Sequence, residues 1–136
     1  MIVDTSAILA ILFGENDAEL YARALAEAEP YRMSAANFVE AAVAVDSQTK
    51  DKGSRQFDAF FRRAGIAIEP VSEEQAHVAR QAYADFGKGR HPANLNFGDC
   101  FAYALAKVTG EPLLFKGKDF KKTDIASALE RGKYPS

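Results

Sequence analysis

The chain has one cysteine, Cys100. An internal disulfide is therefore excluded, and a reducing compartment, the cytoplasm, is the expected setting. No apolar run approaches the roughly 18 residues that span a bilayer. The opening "MIVDTSAILAILFGEN" lacks a basic start and meets an acid at Asp4, which argues against a signal peptide. There is no excess of positive charge: 17 basic and 19 acidic side chains leave a formal −2. Binding of nucleic acid through bulk charge is thereby excluded, and a polyanion would need a local basic cluster or a metal. Repeats, low-complexity segments and linkers are missing too.

What remains suits a single domain over residues 1–136, with the closing "RGKYPS" as a flexible tail. At 48% hydrophobic and 26% charged residues, the chain can bury an ordinary core. "MIVD" is a short apolar run ended by an acid, as in a buried strand. "TSAILAILF" follows as a helix, and "DAELYARALAEAE" is a second helix stopped by Pro30. "YRMSA" reads as a strand. "ANFVEAAVAVDSQT" is a helix with apolar positions Phe38, Val39, Ala42 and Val43. "SRQFDAFFRRAG" is another, carrying Phe57, Phe60 and Phe61 to a glycine stop. "IAIEPV" is a strand. "SEEQAHVARQAYADFG" opens on a capping-box pattern, Ser72 and Gln75. The helix "FGDCFAYALAKVTG", the strand "PLLF", the loop "KGKDFKKTD" and a terminal helix "IASALERG" complete the chain. Strands alternating with helices predict a parallel sheet covered on both faces.

Sites on such sheets form beyond the carboxyl ends of the strands. Asp4 ends the first strand and Asp119 follows the last, so both belong to one rim. Asp99 opens the helix that leads into that last strand. Glu40 lies among Phe38, Val39, Ala41, Ala42 and Val43, where a buried carboxylate is costly unless paired or bound to a cation. Each acid also has an ordinary reading: Asp4 as a helix cap, Glu40 as a snorkelling side chain, Asp99 as a first-turn acid with Asn96 as cap, Asp119 as a turn cap. If the four converge, a divalent ion is the natural compensation for their charge. Oxygen-only ligands favour Mg²⁺ or Mn²⁺, and the chemistry would be phosphodiester hydrolysis.

"MIVDTSAILAIL", the acid in "SAANFVEAA", "NFGDCFAYALA" and "PLLFKGKDFKKTDI", in that order over nearly the whole chain, resemble the PIN-domain ribonucleases. More narrowly, they resemble the VapC toxins of bacterial type II toxin–antitoxin systems. The resemblance implies a PIN-like three-layer α/β/α sandwich with a short, mainly parallel central sheet. It implies Mg²⁺, or Mn²⁺, on an acidic cluster, endonucleolytic cleavage of RNA, neutralisation by a VapB-type antitoxin, and a homodimer. Carried over, Asp4 and Asp99 match the principal metal acids, Glu40 the acid of the third helix, and Ser6 a small hydroxyl that orders the site. The pattern departs at the fourth acid. Relatives carry a "TND"-like turn after the last strand; here Gly117 stands in its place, Asp119 is the substitute, and Asp124 is assigned to cap the terminal helix.

Lys116, Lys118, Lys121 and Lys122 surround the last loop, and Lys88, Arg90 and His91 lie in the loop before Asp99. Flanking the acids, the two groups would give phosphates a basic border. His77 reads as structural and His91 as exposed. Leu20, Tyr21 and the Phe57–Phe61 helix are a candidate groove for an antitoxin segment. Two other classes compete. An aspartyl phosphotransferase with Asp4 as nucleophile lacks the second aspartate, because Ser6 stands there. A non-catalytic binding module on the same fold needs the acids dispersed.

Overall fold

A computed structural model describes residues 1–27 and 30–129; the expected tail and the end of the expected terminal helix lie outside that range. Four strands form one wholly parallel sheet: β1 (Ile2–Val3), β2 (Arg32–Ser34), β3 (Ala67–Glu69) and β4 (Leu113–Leu114). Their order is β3-β2-β1-β4. The chain thus builds outward from β1 through β2 to β3, then returns to place β4 on β1's other side. Strand order reverses there, so a crevice opens beyond the carboxyl ends of β1 and β4.

Among the described residues, six α-helices connect the strands: α1 (Thr5–Leu12), α2 (Ala18–Glu27), α3 (Ala35–Gln48), α4 (Asp51–Ala64), α5 (Glu73–Phe86) and α6 (Phe97–Thr109). The two-residue period of a strand divides them into layers. Ile2 and Leu113 enter a core shared with Ala79, Ala82, Leu95, Tyr103 and Leu105 of the α5–α6 side. Val3 and Leu114 enter a second core with Ile8, Leu25, Ala41 and Phe57 of α1 to α4. The result is three layers, α/β/α.

The helix ends follow local chemistry. Ser34 and Ser72 cap α3 and α5 by accepting from Ala36 N and Gln75 N. Only this half of the expected Ser72–Gln75 box forms, since Gln75 Oε1 is buried without a hydrogen-bond partner. Gly65 and Gly110 end α4 and α6 in the left-handed conformation that glycine tolerates.

Two elements differ from the sequence reading. In α3 the buried face is Asn37, Ala41 and Val45, while Val39 and Val43 are 56% and 59% exposed. Glu40 is therefore not enclosed by apolar neighbours. It is exposed, next to Val39. In the terminal segment, Ile125–Leu129 is not helical. Leu113 N donates to Ala126 O and Ala128 N to Leu113 O, both at 2.9 Å. The open edge of β4 supplied backbone partners that outweighed the segment's helical composition. Asp124 consequently caps no helix. It accepts from Tyr103 Oη at 2.7 Å and Lys107 Nζ at 2.6 Å.

Candidate active site

Asp4 leaves β1 in an extended conformation and becomes the cap of α1. Its Oδ2 accepts from Ser6 N at 3.0 Å and from Ser6 Oγ at 2.5 Å. Ser6 Oγ in turn accepts from Lys116 N at 2.9 Å, so one hydroxyl joins the exit of β1 to the exit of β4. Asp4 is only 3% exposed, and its other oxygen, Oδ1, is buried with no hydrogen-bond partner. Burial pushes its carboxyl up to about 6, against the opposing Ser6 bonds and with a further push from Glu40.

Glu40 reaches the same rim from α3. Its Oε1 accepts from Thr5 Oγ1 at 2.6 Å and from Asn37 Nδ2 at 3.3 Å. Asn37 is fully buried and also donates to Gly98 O at 2.9 Å, tying α3 to the first turn of α6. A Cβ on Gly98 would lie 2.1 Å from Glu40 Oε2. The glycine of "FGD" therefore leaves room for this carboxylate.

Asp99 does two jobs. It completes a full capping box on α6: Asp99 N donates to Asn96 Oδ1 at 2.9 Å, and Asn96 N donates to Asp99 Oδ2 at 3.0 Å. The cap reading of Asp99, like that of Asp4, is correct, and it coexists with placement on the rim. Burial pushes the Asp99 carboxyl up to about 7; the Asn96 bond opposes this, and the charges of Asp4, Glu40 and Asp119 add to it. Asp119 precedes a 3₁₀ turn (Phe120–Lys122) and makes no side-chain cap there. The charges of the other three sequence-selected acids thus all act on Asp99. Gly117, at φ +108°, makes a bend that a residue with a side chain rarely adopts.

Among the described residues, no three Asp, Glu, His or Cys side chains close into a ready-made ion cage. Asp99 is turned onto Asn96 N, and Glu40 onto Thr5 and Asn37. The donor set nonetheless suits a hard divalent ion: carboxylates only, with one buried carboxylate oxygen left unpartnered.

The basic residues do not behave alike. The Lys116 ammonium pairs with Glu15 and with Asp17, the latter at 3.0 Å, so its charge is already satisfied away from the acids. That tells against the expected role of Lys116 on RNA. Lys118 and Lys121 are exposed. Lys122 Nζ donates to Pro92 O at 3.3 Å, which brings the last loop against the loop before Asp99. His91 is half-buried rather than exposed, its Nδ1 accepting from Ala93 N at 3.0 Å. His77 is exposed on α5, so no structural role is visible for it.

The apolar groove lies beside the expected one. It holds about 640 Å³ between α2 and α4, lined by Leu12, Leu25, Tyr31, Phe60 and Arg63. Tyr21 is buried in the core instead. Sequence reasoning missed Thr5 and Asn37, the donors that aim Glu40. Thr5 directly follows Asp4, and Asn37 precedes Glu40 by one helical turn; that spacing was the available signal.

A short parallel sheet between two helical layers is the architecture of a PIN domain, and the PIN-domain family model matches residues 1–126. A VapC ribonuclease of Mycobacterium bovis and the ribonuclease VapC28 of Mycobacterium tuberculosis are each 54% identical, over 96% of this chain and 99% of theirs. A ribonuclease VapC of Mycolicibacterium smegmatis is 50% identical over 93% of this chain and 98% of its own. The chain belongs to the PIN-domain family, among its VapC ribonucleases. Solved structures agree in fold. Mycobacterium tuberculosis VapC20, described as a sarcin–ricin-loop-cleaving toxin, superposes with a TM-score of 0.74 at 18% identity, covering 92% of this chain and 95% of that one. A toxin–antitoxin complex from Klebsiella pneumoniae gives 0.69 at 16% identity, covering 95% of this chain and 98% of that one. Among the described residues, no helix is long and apolar enough to cross a membrane.

Proposed function

We propose that this protein is an endoribonuclease toxin whose carboxylate rim binds Mg²⁺ or Mn²⁺ and hydrolyses RNA phosphodiester bonds. The observation that carries the reading is the uncompensated negative charge at the reversal point: Asp4 buried with a free oxygen, beside Asp99, Glu40 and Asp119. Relatives at about half identity that are named ribonucleases support it. Asp4, Glu40 and Asp99 would hold the ion, with Asp119 as the substitute for a fourth acid. Bound there, a hard divalent cation supplies charge neutralisation at the phosphate and an activated water. Ser6 holds the Asp4 carboxylate, Thr5 and Asn37 hold that of Glu40, and Asn96 holds that of Asp99. Lys118 and Lys121 stand free to meet the RNA backbone.

The partner we propose is a VapB-type antitoxin with an amphipathic segment in the α2–α4 groove. The protein works in the cytoplasm, as a homodimer. The groove's apolar lining and its Arg63 suit a helix that carries an acid near its apolar face.

The test is cleavage of a mixed RNA substrate with Mn²⁺ and with EDTA, by wild type, Asp4→Ala and Asp99→Asn. Wild type should cut only with metal, and each variant should lose about a thousandfold or more, because the acids act as one unit. Full activity in EDTA, or in Asp99→Asn, would refute the metal-dependent nuclease and leave the non-catalytic alternative.

A further inference from the structure

A second cavity, of about 540 Å³, lies between α5 and α6. That volume falls in the range of small-ligand sites, roughly 300–1,000 Å³. Its walls are mainly apolar, Tyr83, Phe97 and Phe101 among them, and Arg80 and Lys88 stand among the lining residues. No carboxylate lines it. Phe97 is 78% exposed, an unusual state for a phenylalanine, and it packs edge-on against Phe101 with ring centroids 4.9 Å apart at 76°. Arg90 lies over the Tyr83 ring, 5.8 Å from its centroid.

We infer that this cavity is a nucleobase subsite, in which an unpaired base next to the cut stacks on Phe97 while Lys88 and Arg80 take the adjoining phosphates. The inference rests on the ribonuclease reading and deepens it. Continuity is the first argument. Phe97 and Asn96, which line the cavity, directly precede Asp99, and Phe97 is only about 3 Å from it along the helix axis. Residues two apart point to different sides of a helix. Phe97 therefore receives a neighbour of the scissile nucleotide, not the reacting phosphate itself. Charge is the second argument. The carboxylate rim repels a polyanion, and the cavity beside it presents cations and π-faces, the two features that hold single strands. Asn96 adds an amide NH₂ that its capping bond does not use. A protein partner would have no need of the bias toward cations so near the acids.

The test uses the full chain, Mn²⁺ and a pool of random-sequence single-stranded RNA decamers, with cut ends sequenced. Phe97 is exposed, so Phe97→Ala should keep the wild-type circular dichroism and melting temperature. It should raise KM about tenfold with kcat within about threefold, as expected for one lost stacking contact. Base preference at one position beside the cut should flatten, and Phe97→Tyr should restore it. Asp99→Asn should do the reverse, lowering kcat with RNA binding intact. Wild-type KM and base preference in Phe97→Ala would overturn the subsite. The same result with a dimer turned to monomer would assign the face to a second copy of the chain, and overturns it too. A wild type that leaves the pool intact with Mn²⁺ strikes the ribonuclease reading first, and the subsite with it.

Discussion

Gly98 is narrow because Glu40 needs the space. Adding a single methyl group would place a carbon 2.1 Å from Glu40 Oε2, a separation that must be relieved. The glutamate is a flexible side chain, so it, rather than the backbone, would give way. Gly98→Ala should therefore leave the melting temperature within a few degrees of wild type while displacing the Glu40 carboxylate from Thr5 and Asn37. RNA cleavage should fall about 10- to 100-fold, the usual cost of disturbing the groups that orient metal ligands. Unimpaired cleavage in this variant would remove Glu40 from the working site. At this scale the sequence was a good guide to where Asp4 and Asp99 stand, because both announce themselves at element starts. It was a poor guide to how they are held. The Thr5 bond to Glu40 crosses from α1 to α3, and Asn37, one turn before Glu40 in α3, also reaches Gly98 O in α6; no local pattern encodes such contacts between helices.

The helices show the same division. The start of α6 was legible, since Asn96 and Asp99 have capping-box spacing, and both halves of the box form. Asn96→Ala should cost about 1 kcal/mol in urea unfolding, and Asn96→Ser should recover most of it. Equal loss in both variants would mean that the cap contributes through packing instead. The terminal segment was not legible. "IASALERG" has the composition of a helix, yet its first residues answer the unpaired edge of β4, and edge pairing is a property of the sheet rather than of the segment. The exposed valines of α3 misled in a similar way: an apolar stripe was visible, but the neighbours that would choose its buried side were not.

For the molecule as a whole, the acids set a dependence on pH. Burial raises Asp4 to about 6 and Asp99 to about 7, both from 3.8. Between about pH 4 and 7 the folded chain therefore holds protons that the unfolded chain has released, and stability falls as pH rises through that window. Asp4 alone contributes up to about 3 kcal/mol to the fall. Glu111 and Asp124 act in the opposite sense. Burial pushes Glu111 up, but the N-terminal ammonium and Arg32 outweigh it and hold Glu111 below its usual value; bonds from Lys107 and Tyr103 hold Asp124 down. Their support is lost only as pH drops below about 4. Metal-free protein should thus melt highest near pH 5 and lower at pH 8. At pH 8, Mn²⁺ should raise the melting temperature of wild type but not of Asp4→Asn, which should itself melt above metal-free wild type. A metal-free melting temperature that climbs from pH 5 to pH 8 would contradict the raised carboxyls.

One feature of β1 carries beyond the site. Ile2 and Val3 supply opposite layers, and Asp4 follows at the next step with no spare residue between. The strand is a counter with two settings. A single amino acid spliced in just ahead of Asp4 would invert the parity, sending each aliphatic side chain to the wrong layer and slipping the aspartate off the hydroxyl of Ser6. Two amino acids would restore the parity but shift the rungs shared with Leu113 and Leu114. Length changes are best accommodated elsewhere on this scaffold, in the loops.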